Sequence, residues 1–190
     1  MKRNRSGRLV TKLAFGVSAL LGSASQAQED SVNPTQHFAR AFVGFCAQST
    51  GNNDKVVAAA NALGFKELEG DMKAMVAPQD PNAEYAGWLV EDEGQMPLLL
   101  GISEAEMKGV QYSNCVVANP NVPMDEVLEE LQRLISFGNL LHEEEAMGQR
   151  YRIWETSSVA ERSFISVMDA PAMGIEGGTL SLSAPSLQKE

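Results

Sequence analysis

The sequence predicts an α+β domain: an antiparallel sheet of about five to six strands with helices packed on one face. Three observations predict it. Apolar residues in the first third recur at helical spacing, and short apolar runs bounded by turn residues then replace them. Most connections between those runs are too short for the helical crossovers that a parallel sheet requires.

The order begins after an export signal. Lys2, Arg3, Arg5, Arg8 and Lys12 form a basic front, Leu13 to Leu21 an apolar centre, and Ser25-Gln26-Ala27 a small-x-small cleavage site. The apolar centre is short of the roughly 20 residues that cross a bilayer. No cysteine follows Gly22-Ser23-Ala24-Ser25, so no lipid anchor is expected, and Asn4 separates Arg3 from Arg5, against a twin-arginine signal. Residues 1–27 are expected to be removed, leaving 28–190 as a single globular domain with loose ends, periplasmic or secreted, with no integral membrane segment.

Asn33-Pro34-Thr35-Gln36 reads as a helix start, and Phe38, Ala41, Phe42, Phe45 and Cys46 share its apolar face. Asp54 is expected to cap a second helix carrying Val56, Ala59, Ala60 and Leu63, closed by Gly64, and a third is expected over 66–76. Pro78, Asp80, Pro81 and Asn82 break the pattern. Ala86–Glu91 and Met96–Ile102 then read as a hairpin around Asp92-Glu93-Gly94-Gln95, and Val110–Ala118 as the next strand. Val127, Leu128, Leu131, Leu134 and Ile135 mark a further helix whose other side carries Asp125, Glu126, Glu129 and Glu130. Gly138 is expected to end or bend it, with 139–147 extending it by a turn or two. Tyr151–Thr156, Arg162–Met168 and Gly178–Ser183 are strand-like, and 185–190 is expected to fray.

Charge narrows the function. Five of the 15 basic residues and none of the 25 acids precede Gln28, leaving 10 against 25 and a net charge near −15. Nucleic acid and anionic lipid are disfavoured as partners, because both need clustered Lys and Arg. Cys46 and Cys115 are the only cysteines. In an oxidising compartment such a pair is expected to be a disulfide, joining the first helix to the strand that contains Cys115.

Each reactive-looking motif lacks a part. In His142-Glu143-Glu144-Glu145 a zinc-protease helix would need a second histidine at 146, where Ala stands. His142 with a nearby carboxylate such as Glu143 remains a general-base candidate. Asp80, Asn82, Glu84 and Glu91 fall at positions 1, 3, 5 and 12 of a calcium loop, but Tyr85 occupies the position normally held by Gly. No Gly-x-Ser-x-Gly elbow or phosphate-binding glycine loop occurs, the methionines are dispersed rather than grouped for copper, and no cofactor is expected. His37 is expected to face solvent or to help satisfy the end of its helix, and Trp88 and Trp154 to pack in the core or on the sheet face.

The run of short elements with an acidic surface resembles the small acidic chaperones of bacterial protein secretion, α+β dimers that act in the cytoplasm without a signal peptide. The resemblance covers the order of elements only and implies no site residue. The sequence as a whole predicts an exported acidic protein that binds a protein or other macromolecule of the cell envelope without catalysis. The alternative is a periplasmic hydrolase using His142 with a nearby carboxylate.

Overall fold

Phe38, Phe42 and Cys46 recur every four residues and set the geometry of the first element in a computed structural model that describes residues 33–78, 80 and 82–187. The predicted signal peptide and its cleavage site lie outside the described residues. α1 runs Pro34–Phe42, started by Asn33, whose side chain accepts the Thr35 amide at 3.0 Å. Residues four apart drift about 40° around an α-helix, which would swing Cys46 off the sheet. The chain instead widens into a π-helical turn at Val43–Ala47, where the Gln48 amide bonds the Val43 carbonyl at 3.0 Å. Phe38, Phe42 and Cys46 all remain at most 1% exposed. As expected, a Cys46–Cys115 disulfide with a Cα separation of 5.3 Å ties this turn to the sheet.

α2 spans Asn53–Ala62 and is capped by Asn52, which accepts the Lys55 amide at 3.2 Å, two residues earlier than the expected Asp54 cap. The helix expected over 66–76 is mostly absent. In its place stand a two-residue strand, β1 (Lys66–Glu67), and a short α3 (Gly70–Ala74). β2 (Tyr85–Val90), β3 (Leu98–Met107) and β4 (Val110–Asn119) follow as antiparallel neighbours. α4 (Met124–Leu134) then crosses the sheet and delivers the chain to its far edge. From there β5 (Leu140–Ala146), β6 (Gln149–Glu155), β7 (Phe164–Ala170) and β8 (Ile175–Pro185) return strand by strand until β8 pairs with β4.

The result is one eight-stranded antiparallel sheet in the order β1-β2-β3-β4-β8-β7-β6-β5. This corrects the expected α+β arrangement of five to six strands with helices on one face. Two strands come from segments that read as helix. Leu140–Ala146 is rich in Glu and Leu, good helix formers, but Met147 and Gly148, at φ 53° and 79°, fold it back onto β6. A two-residue turn with both φ values positive matches the twist of paired strands, and the pairing overrides propensity. β1 forms because Lys66 and Glu67 pair with Leu89 and Trp88 of β2.

The core lies between the sheet and α1, α2 and α4. In-register rows such as Ile102, Cys115, Leu182 and Ile165, and Leu100, Val117, Leu180 and Val167, face Phe38, Phe42, Val127 and Leu131. Burying each Leu or Ile of these rows contributes about 1.5–3 kcal/mol. The other face is covered only in part. The segment from Leu68 through α3 to Val76 packs there against Leu99 and Ala118, so the helices are not confined to one side. Of the segment 185–190 expected to fray, the described part is fastened: the Ser186 amide bonds the Gln111 carbonyl at 2.9 Å and the Leu187 amide the Gly51 carbonyl at 2.8 Å, while 188–190 lie outside the described residues.

Candidate functional site

Strand alternation sends one half of each strand's side chains into the core and the other half to the opposite face. On β3 the opposite set is Leu99, Gly101, Ser103, Ala105 and Met107, and on β4 it is Val110, Tyr112, Asn114, Val116 and Ala118. On β8 it is Thr179, Ser181, Ser183 and Pro185, and on β7 Phe164, Ser166 and Met168. None of these side chains is charged, although the chain carries 25 acidic residues. A face meant only for water on so acidic a protein would carry its share of them.

Beyond the packed segment the face opens into a cavity of about 280 Å³. Its floor includes Ser103, Asn114, Ser166, Thr179, Ser181 and Ser183. Met75 to Pro78 and Asp80 form one wall, and Tyr151 and Met168 line the far side. The hydroxyls are ordered by register: Ser166 and Ser181 are cross-strand partners whose oxygens lie 2.6 Å apart, and Ser103, Asn114 and Ser183 form a second row. The wall is seated by two glycines. Gly87 and Gly101 are direct partners on β2 and β3, and Val76 drops onto both: a Cβ at Gly101 would lie 2.8 Å from the Val76 Cβ and one at Gly87 2.9 Å from its Cγ2. Removing both Cβ atoms makes the depression that Val76 fills.

Of the residues singled out in the sequence, His142 and Glu143 lie on β5, not at a helix end. Alternation puts His142 and Glu144 on the open face and Glu143 on the other, so the carboxylate nearest His142 is that of Glu144, with Oε2 3.4 Å from Nε2. The two side chains are 47% and 63% exposed and line none of the described cavities. The structure does not gather Asp80, Asn82, Glu84 and Glu91 into one shell. Asp80 accepts the Asn82 amide at 2.9 Å in a local turn, while Tyr85–Val90 runs as an extended strand and carries Glu91 away to a 2.9 Å ion pair with Lys66. Among the described residues no group of three or more His, Cys, Asp or Glu is placed to hold a metal ion. His37, expected to face solvent or to help satisfy its helix end, is largely enclosed, with Nε2 3.8 Å from Asp92. Trp88 is in the core, and Trp154 packs on Phe137 with ring centroids 5.4 Å apart.

The strongest electrostatic cluster lies on the helical side. Arg150 donates from Nε and Nη2 to the two oxygens of buried Asp169 at 3.0 and 2.6 Å, and from Nη2 to Asp125 at 2.8 Å. Arg152 reaches the same two carboxylates at 3.1 and 3.0 Å. Partial burial pushes the Asp125 carboxyl up, but hydrogen bonds and charge from Arg150 and Arg152 outweigh it and hold the group below the usual carboxylate range. The hydrogen bond to Asp169 outweighs burial at Arg150 and holds its proton more firmly than usual. This cluster fastens the start of α4 to β6 and β7.

A second cavity, of about 390 Å³, lies by β1 between Phe45, Phe65, Leu89 and the Lys66–Glu91 pair. It is the larger of the two, but it sits at a sheet corner rather than on an extended uncharged surface. No family model, curated protein or solved structure matches the chain. Reading the central strands with period two would have exposed the missing charges on one face, but the register of β8 between β4 and β7 was needed to make those positions contiguous.

Proposed function

We propose that the protein is an exported, non-catalytic binding module that holds a macromolecular partner of the cell envelope against the open face of its sheet. The observation that carries this reading is the uncharged face presented by β3, β4, β8 and β7. Hydroxyls interleaved with Val116, Met168 and Phe164 supply hydrogen bonds and apolar contact together, a mixture suited to a protein surface. Electrostatic repulsion from the acidic remainder of the molecule would select partners that are neutral or basic. The Cys46–Cys115 disulfide fits an oxidising compartment, in keeping with the predicted export signal. No described helix is long and apolar enough to cross a membrane.

The test is affinity capture from envelope extract with the wild-type protein, Ser181→Arg and His142→Ala side by side. Arg at 181 places charge and bulk in the floor of the cavity. Loss of a captured partner with Ser181→Arg, at an unchanged melting temperature and with His142→Ala behaving as wild type, supports the reading. Equal capture by Ser181→Arg, or a hydrolytic activity abolished in His142→Ala, overturns it.

A further inference from the structure

The sheet has two edges, and they differ. The β1 edge is two residues long, and Leu68 immediately beyond it already donates its amide to the Gly87 carbonyl at 2.8 Å. The β5 edge runs seven residues, all exposed, and no described strand pairs with its outer side. Neither Pro nor Lys interrupts it, and the one irregularity is a register shift between Leu140 and His142. A strand of this kind is a template for main-chain pairing with another extended chain.

The charges on β5 decide which chain fits. Across the β5–β6 pair Glu143 stands opposite Arg152 and Glu145 opposite Arg150, so ordinary cross-strand ion pairs were available. Both guanidiniums turn the other way, to Asp169 and Asp125. Asp169 is only 3% exposed, and a buried carboxylate holds its partners more firmly than a solvated one does. Glu143 and Glu145 are thereby left with no ion pair among the described residues, while Glu144 on the opposite face meets only His142. An added strand would thus run beside two unmatched carboxylates, Glu143 and Glu145, on one side of the sheet plane. A second copy of β5 in antiparallel register would set these glutamates against their own equivalents, and like charges directly opposite destabilise a pair. Self-association along this edge is disfavoured.

We propose that β5 takes an extended basic segment of a partner protein as a ninth antiparallel strand, with Lys or Arg side chains opposite Glu143 and Glu145. Main-chain hydrogen bonds supply the affinity and the carboxylates the selection. This surface is separate from the open-face cavity, and the proposal does not depend on it.

The probe is a synthetic peptide of alternating Lys and Val, matched in length to β5, acetylated and amidated. A control peptide of equal charge carries Pro at the central position and so lacks a ladder amide. Binding to the purified oxidised protein is followed at about 0.15 M salt, where the screening length is about 8 Å, by fluorescence anisotropy and amide hydrogen exchange. The expected result is saturable binding that slows exchange across Leu140–Ala146 about tenfold or more, with the Pro peptide binding about tenfold more weakly. Glu143→Gln/Glu145→Gln, at an unchanged melting temperature, is expected to lose about fivefold or more in affinity. Absence of saturable binding, equal affinity for the two peptides, or protection confined to another strand would overturn the proposal.

Discussion

Gly101→Ala tests how the wall of the open-face cavity is seated. The added Cβ would stand 2.8 Å from the Cβ of Val76 and 2.8 Å from Cγ1 of Val116. Carbon atoms in favourable contact lie about 3.5–4.0 Å apart, so each neighbour is roughly 0.7 Å too near. Turning the Val116 side chain would move its Cγ1 away, but rotating Val76 gives no relief, because its Cβ is itself the contact. The segment carrying Val76 must lift or the strands must part, an overpacking cost of about 1–3 kcal/mol. With a urea slope of about 2 kcal/mol/M, the unfolding midpoint should fall by roughly 0.5–1.5 M. Gly44→Ala provides the internal control: nothing lies within 4 Å of its added Cβ. That change should be neutral or should stabilise by up to about 1 kcal/mol. A Gly101→Ala protein within about 0.3 kcal/mol of wild type would refute the account of the paired glycines.

Replacing Cys46 and Cys115 by Ser opens a loop with a sequence separation of 69 and should cost up to about 4 kcal/mol in equilibrium denaturation; thiol labelling of the unreduced, denatured wild type should find no free cysteine. Asp125→Asn should destabilise most near neutral pH. Because the folded carboxyl titrates below its unfolded value of about 3.9, the wild-type advantage should be complete above that value and vanish as pH falls through the lower folded value. Thermal denaturation of both proteins from pH 7 to pH 2 measures this. His142→Ala, on an exposed strand, should change stability by less than about 0.5 kcal/mol in the same assay.

Much of the helical layer was legible in the sequence. The Phe38–Phe42–Cys46 stripe and the Val127–Leu128–Leu131 face repeat at helical spacing, and both are buried where expected. The disulfide was legible from the cysteine count. β5 was not, because Leu140–Ala146 contains helix formers and no apolar alternation. Its strand state depends on the Met147–Gly148 turn and on pairing with β6, neither of which is a local preference. β1 is only two residues long, too short to leave a periodic signal. The open face was hidden for another reason. Its residues come from strands far apart in the chain, and β8, the last strand, joins the two halves of the sheet by pairing with β4 and β7. His142 drew attention as a reactive side chain, but reactivity requires enclosure and an oriented partner, and its strand provides little of either.

The central claim is that the open face of the sheet contacts a partner, and site-specific photocrosslinking in the exporting cell tests it most directly. A photoreactive side chain is placed at Ser181 in the cavity floor and, as a control, at exposed Glu129 on α4. The account predicts a discrete protein adduct from position 181 that is absent at position 129. Adducts of equal yield from both positions, or adducts at 129 alone, would contradict it.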